Sequence, residues 1–177
     1  RHLTGSKEGC GEGDCGACMV VVAEIDETTE ELNHKAINAC ITFLPTLHGK
    51  ALFTIESLSS CAAEAHPVQQ AMIDLDASQC GLCTPGFVMS LFAQYENRAQ
   101  LSPRDIDDVL SGNLCRCTGY RPIKDAALAA CNNPAVEHTL TTQTRERLID
   151  LRSTVGTAPT LDMETSGGTF SSPTTVE

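Results

Sequence analysis

Eight of the ten cysteines in this 177-residue chain fall into two tight sets, and any fold it adopts must bring each set together. The first set is Cys10, Cys15 and Cys18 in CGEGDCGAC, with Cys40 following after 21 intervening residues. The second is Cys80 and Cys83 in QCGLC, followed after 31 residues by Cys115 and Cys117 in CRC. Ten cysteines in a small secreted chain would suggest disulfides. Here they are clustered and no export signal is visible, so a reducing compartment, the cytoplasm, is the expected setting. Clustered thiols in that setting are more often metal or cluster ligands than bridges.

The first set reads C-x4-C-x2-C plus a distant cysteine, the plant-type ferredoxin spacing for a 2Fe-2S cluster. Three thiolates from one short loop must converge on two irons. Gly11, Gly13 and Gly16 allow the positive φ and close approach that this needs, and they free backbone N–H groups for the sulfurs. Glu12 and Asp14 are expected to face solvent or cap the loop. Zinc favours paired C-x2-C knuckles, which this spacing does not match.

The second set is less specific. C-x2-C alone could be a redox pair or half of a zinc knuckle. C-x-C is tight for zinc. Each pair precedes an expected helix, whose N-terminal N–H groups would face an anionic cluster. A second 2Fe-2S cluster is therefore expected, with zinc as the alternative.

Residues 1–60 read as strand and loop: 18–25 (CMVVVAEI) and 51–56 (ALFTIE) as strands, 26–35 (DETTEELNHK) as a turn or exposed loop. Residues 66–131 read as four short helices, beginning at His66-Pro67, Thr84-Pro85, Ser102-Pro103 and Pro122. Asp105 sits in the first turn of the third helix and Gly112 just past its end. Residues 132–172 lose apolar periodicity and have linker composition.

The chain carries 12 basic and 23 acidic residues, a net charge of −11. Such a surface repels phosphate backbones, so nucleic acid is not an expected partner. No run approaches the roughly 18 apolar residues of a membrane helix.

KEGCGEGDCGAC, NACITFLP, QCGLCTPGFVMS and GNLCRCTGYRPI, in that order, resemble the iron–sulfur part of the xanthine oxidase family of molybdenum hydroxylases. Within the family the likeness is to the small subunit of bacterial xanthine dehydrogenase, and it covers about residues 1–131. The resemblance implies an α+β chain: an N-terminal β-grasp 2Fe-2S ferredoxin-like domain over 1–60, missing its first hairpin, then an all-α four-helix-bundle 2Fe-2S-binding domain over 61–132. A linker over 133–170 and the start of a truncated FAD-binding domain over 171–177 would follow, making the chain a piece of a longer protein.

The family's eight cluster ligands fall on Cys10, Cys15, Cys18 and Cys40, and on Cys80, Cys83, Cys115 and Cys117. Gln79 and Cys117 match positions that touch molybdopterin. The implied function is electron transfer during purine hydroxylation, from molybdenum through two 2Fe-2S clusters to FAD and NAD. FAD would lie on a domain fused C-terminally and molybdopterin on a large partner subunit, in a hetero-oligomer. The chain would be part of an oxidoreductase and would not turn over substrate alone. Hydroxylases of aldehydes, carbon monoxide or N-heteroaromatics are the near alternative. A non-enzymatic zinc-binding protein is the alternative of another class.

Cys61 and Cys131 fall outside both sets and are expected to be inert thiols. The histidines pair with no cysteine at ligand spacing, and His66 reads as a helix-start residue. Phe87, Met89, Leu91 and Phe92 read as core. Arg116, and with similar standing Lys7 and Arg121, could donate to a cluster sulfur, pair with a partner subunit or face solvent. No Ser-His-Asp or Cys-His arrangement suggests catalysis within the chain.

Overall fold

The computed structural model describes residues 3–26, 28–58, 65–132, 139–155, 160–165 and 168–173. A three-stranded sheet lies at the N-terminal end, in the order β2-β1-β3. Its centre, β1 (Met19–Ile25), is the β-branched run MVVVAEI. β2 (Leu32–Asn38) pairs with it antiparallel, from Met19 opposite Asn38 to Ile25 opposite Leu32. β3 (Ala51–Phe53) pairs on the other edge, with Val21 opposite Phe53. The strand expected over 51–56 stops at Phe53, and Ile55–Leu58 forms a 3-10 turn instead.

β2 lies largely within the segment read as turn or loop. The loop proper is Asp26–Glu31, where the Asp26 carboxylate accepts the N–H groups of Thr28 and Thr29. In the strand, His34 is buried and Leu32 and Ala36 are half-buried, while Asn33 and Lys35 are exposed. The period of two is present, but its polar residues mask it, as an edge strand allows.

Four helices begin at the expected prolines. α1 (Pro67–Asp74) is capped by His66: its Nδ1 accepts the Val68 N–H, and Gln69 accepts the His66 N–H. α3 (Pro103–Leu110) carries the equivalent box from Ser102 and Asp105. Each such cap contributes about 1 kcal/mol. α2 (Thr84–Glu96) is buried from Gly86 through Ala93, so it is apolar on all sides. It packs against β1 and β2 as well as against α1, α3 and α4 (Arg121–Cys131). Phe87, Met89, Leu91 and Phe92 are at most 1% exposed, and burying each contributes about 1.5–3 kcal/mol. One core therefore runs from Met19, Val21 and Ala23 of the sheet through α2 to Ile106, Ile123 and Ala127.

The segment expected as a linker over 133–170 contains a 17-residue helix, α5 (Thr139–Val155), and a hairpin of β4 (Thr160–Thr165) and β5 (Gly168–Pro173). α5 has no continuous apolar stripe, which is why its sequence resembles linker. Buried Leu148 anchors it, and polar bonds hold its length: Thr141 to the Glu96 carboxylate at 2.5 Å, Arg145 to the Glu30 carbonyl at 2.8 Å and Arg152 to the Ile25 carbonyl at 3.0 Å.

Candidate iron–sulfur sites

The first site is a loop wrapped around its own sulfurs. Gly11, Gly13 and Gly16 have φ of 69°, 81° and 70°. A Cβ on Gly13 would stand 2.5 Å from Ile41 Cδ1, and one on Gly9 would stand 2.8 Å from Cys15 Sγ, so side chains there would fill the cradle. The Cys15 N–H donates to Cys10 Sγ at 3.3 Å, the Glu12 N–H to the same sulfur at 3.5 Å, and the Cys10 N–H to Cys15 Sγ at 3.4 Å. The N–H groups of Cys15, Glu12 and Asp14 lower the Cys10 thiol to about 6.

Cys18 ends the loop at the start of β1, and Cys40 lies in the 3-10 turn Ala39–Ile41 that follows β2. The neighbouring Cys18 side chain is the main cause raising the Cys40 thiol above its ordinary value. Asn38 ties this end to the loop, donating to the Gly13 carbonyl at 2.8 Å.

The second site draws on two loops. Cys80 and Cys83 lie between α1 and α2, Cys83 at the N-cap of α2; Cys115 and Cys117 lie between α3 and α4. Cys117 is a neighbour that shifts the Cys80 thiol, and Cys115 one that shifts the Cys83 thiol. Burial, with Cys115 alongside, pushes the Cys83 thiol up to about 12. Cys83 sits at the N-cap of α2 but makes no side-chain bond to that helix end, and the C-x-C pair has no helix end directly after it. α4 starts only at Arg121, so the loop serves Cys115 itself: the Thr118 N–H donates to its sulfur at 3.5 Å, and its hydroxyl lies 3.1 Å away.

Among the described residues, no group of three or more His, Cys, Asp or Glu could hold a single metal ion. The backbone N–H donors and the glycine cradle of the first site fit an anionic iron–sulfur group.

The two sites meet. A cleft of about 390 Å³ is lined by Cys15 of the first and by Cys80, Cys83, Cys115 and Cys117 of the second. The Leu114 N–H donates to the Cys15 carbonyl at 2.9 Å, joining the residue before Cys115 to a cysteine of the first set. Asn113, 2% exposed, donates to the Gly16 carbonyl at 3.3 Å and accepts from Ser90 at 2.8 Å. Glycine is required at the seam: a Cβ on Gly86 would stand 2.1 Å from the Gly16 carbonyl oxygen.

Gln79 and Cys117 are exposed. Arg116 is exposed and lines the cleft, whereas Lys7 donates to the Thr4 carbonyl and Arg121 pairs with Asp125 on the surface. Cys131 is buried at the end of α4, its thiol pushed up to about 11 by burial, as suits an inert residue; Cys61 lies outside the described residues. Sequence reasoning missed Asn38, Asn113, Thr118 and Tyr120, which hold the sites without being ligands. The φ of Tyr120, 68° directly after a glycine, was not readable from its residue type.

Comparison with known proteins follows this geometry. A 2Fe-2S iron–sulfur cluster binding domain matches residues 1–45, and a [2Fe-2S] binding domain matches residues 54–128. Xanthine dehydrogenase from Calliphora vicina is 50% identical over 122 residues, 69% of this chain and 9% of that protein. Aldehyde oxidase 4 from Cavia porcellus is 42% identical over 135 residues, 76% of this chain and 10% of that protein. The solved quinoline 2-oxidoreductase from Pseudomonas putida 86 superimposes with a TM-score of 0.59 at 32% identity, covering 82% of this chain and 77% of that one. The chain thus spans about a tenth of the curated relatives it matches.

Fold and site together define an electron-transfer protein with two 2Fe-2S domains. Both domains and these relatives identify its lineage: the chain belongs to the iron–sulfur part of the molybdenum hydroxylases, the family of xanthine dehydrogenases and aldehyde oxidases. Among the described residues, no helix is long and apolar enough to cross a membrane.

Proposed function

We propose that this chain is the electron relay of a xanthine dehydrogenase, carrying electrons from a molybdopterin-bound molybdenum through two 2Fe-2S centres to FAD and NAD during purine hydroxylation. The observation that carries this reading is the shared cleft, where both thiol sets open onto one space and a single hydrogen bond joins Cys15 to Leu114. When bound, each 2Fe-2S group supplies a site that takes up and returns one electron.

Cys10, Cys15, Cys18 and Cys40 would hold one group, and Cys80, Cys83, Cys115 and Cys117 the other. Backbone N–H groups of the first loop stabilise charge on its sulfurs, and Leu114 and Asn113 fix the distance between the sites. Exposed Gln79 and Cys117 give the second site a surface for molybdopterin on a large partner subunit. The first site then faces the flavin, on a domain fused C-terminally from about 171. The domains divide as a β-grasp unit over 1–60 and a four-helix bundle, α1–α4, over 61–132. Hydroxylation by the assembly, in the cytoplasm, depends on those other parts.

Similarity to aldehyde oxidase 4 at 42% identity supports a second reading, in which the same relay serves an aldehyde-oxidising enzyme. The relay is tested by anaerobic reconstitution with iron and sulfide. Visible absorption and two distinct reduced 2Fe-2S signals in electron paramagnetic resonance are expected. A colourless protein that binds zinc at both sites would overturn the proposal.

A further inference from the structure

We propose that the Thr118 hydroxyl sets the reduction potential of the second centre by donating to the Cys115 sulfur, and that Tyr120 aims it. This rests on the reading of Cys80, Cys83, Cys115 and Cys117 as ligands of a 2Fe-2S group. Thr118 Oγ1 lies 3.1 Å from Cys115 Sγ. A ligating cysteine is a thiolate without a proton, so the hydroxyl is the donor. The Thr118 oxygen accepts the Tyr120 N–H at 3.1 Å, which leaves the hydroxyl proton for the sulfur.

Tyr120 reaches that position only in the left-handed region, at φ 68°, directly after Gly119 at φ 68°. A side chain there costs roughly 1–2 kcal/mol, so the loop must hold it. Two contacts do so: its ring meets Phe87 edge-on at 6.1 Å, and its Oη accepts the Cys115 N–H at 2.9 Å. Three bonds close a ring: Cys115 N–H to Tyr120, Tyr120 N–H to Thr118, and Thr118 O–H to the Cys115 sulfur.

The bonds reaching the Cys10 and Cys15 sulfurs come instead from backbone N–H groups, which no side-chain substitution removes. Reduction adds one electron to a centre, and the added charge spreads onto its ligand sulfurs. A donor at such a sulfur stabilises the reduced form more than the oxidised form and raises the potential. Thr118 is therefore a positioning and tuning residue, acting through Cys115.

The test is a redox titration of the full chain, reconstituted with iron and sulfide, with each centre followed by its own paramagnetic signal. Thr118→Val keeps the shape and removes the donor; Thr118→Ser keeps the donor. Thr118→Val is expected to lower the reduced-to-oxidised ratio of the second centre severalfold at a fixed potential, where tenfold would correspond to about 59 mV. The first centre should not move, and Thr118→Ser should titrate as the parent does. An unshifted second centre in Thr118→Val, or an equal shift of both centres, would overturn the proposal while leaving the two-centre reading intact. Loss of the second signal in both Thr118→Val and Thr118→Ala would also overturn it, making Thr118 a residue of assembly. A parent chain without two signals would instead sink the two-centre reading, and the tuning role with it.

Discussion

In the first site, three of four thiols come from one glycine-rich loop, and backbone N–H groups meet the sulfurs. In the second, the four come from two loops joined by helices, and a hydroxyl and a tyrosine take over part of that work. The Cys10 thiol is lowered to about 6, whereas burial pushes Cys83 up to about 12. A local loop carries its geometry in its own spacing. A site assembled from distant loops depends on the packing that brings them together, here α2 against α1, α3 and α4.

The largest expected effect separates the sites outright. Cys115→Ser should abolish the second 2Fe-2S signal and leave the first, and Cys15→Ser should do the converse. Loss of both signals from either change in a folded chain would contradict independent sites. Next comes the seam between them. Gly86→Ala sets a Cβ against the Gly16 carbonyl within the tightly packed start of α2. It should cost about 1–3 kcal/mol, read as a lower melting temperature. Asn113→Ala removes bonds to Gly16 and Ser90, leaves the Ser90 hydroxyl buried and should cost about 1–3 kcal/mol. If the seam couples the sites, this variant should also slow electron transfer between the centres; an unchanged rate would place the coupling elsewhere.

The smallest effect lies away from both sites. His34 is buried against Phe53 and Phe92, and burial holds its pKa below the ordinary 6.5. Burial works to raise Glu96, but bonds from His66 and Thr141 and the nearby His34 outweigh it and hold the carboxyl below its usual range. Both groups favour the folded state above their unfolded pKa values. His34's contribution is present above about pH 6.5 and is lost as pH falls through its lower folded value. Glu96's is present above about pH 4.5 and is lost as pH falls through its own lower folded value. Melting temperature should therefore fall on acidification from pH 7, and His34→Phe should flatten the part of that fall nearest neutrality. An unchanged pH profile in that variant would contradict the role given to His34.

The first site was legible because its chemistry is local: C-x4-C-x2-C with three glycines is almost a complete description of the loop. The prolines at 67, 85, 103 and 122 marked four helices because proline suits the first helical turn. β2 was hidden because an edge strand tolerates Asn33 and Lys35. α5 was hidden because side-chain bonds to Glu96, Glu30 and Ile25 hold it where an apolar stripe would be expected. The second site's donors were hidden for a further reason: the role of Thr118 depends on the backbone of Tyr120, which no spacing reveals.

The most direct test of two separate centres is electron paramagnetic resonance of the fully reduced chain after anaerobic reconstitution with iron and sulfide. Two distinct 2Fe-2S signals are expected, of which Cys115→Ser removes one. A single signal in the parent chain, or none with all eight cysteines intact, would contradict two separate centres.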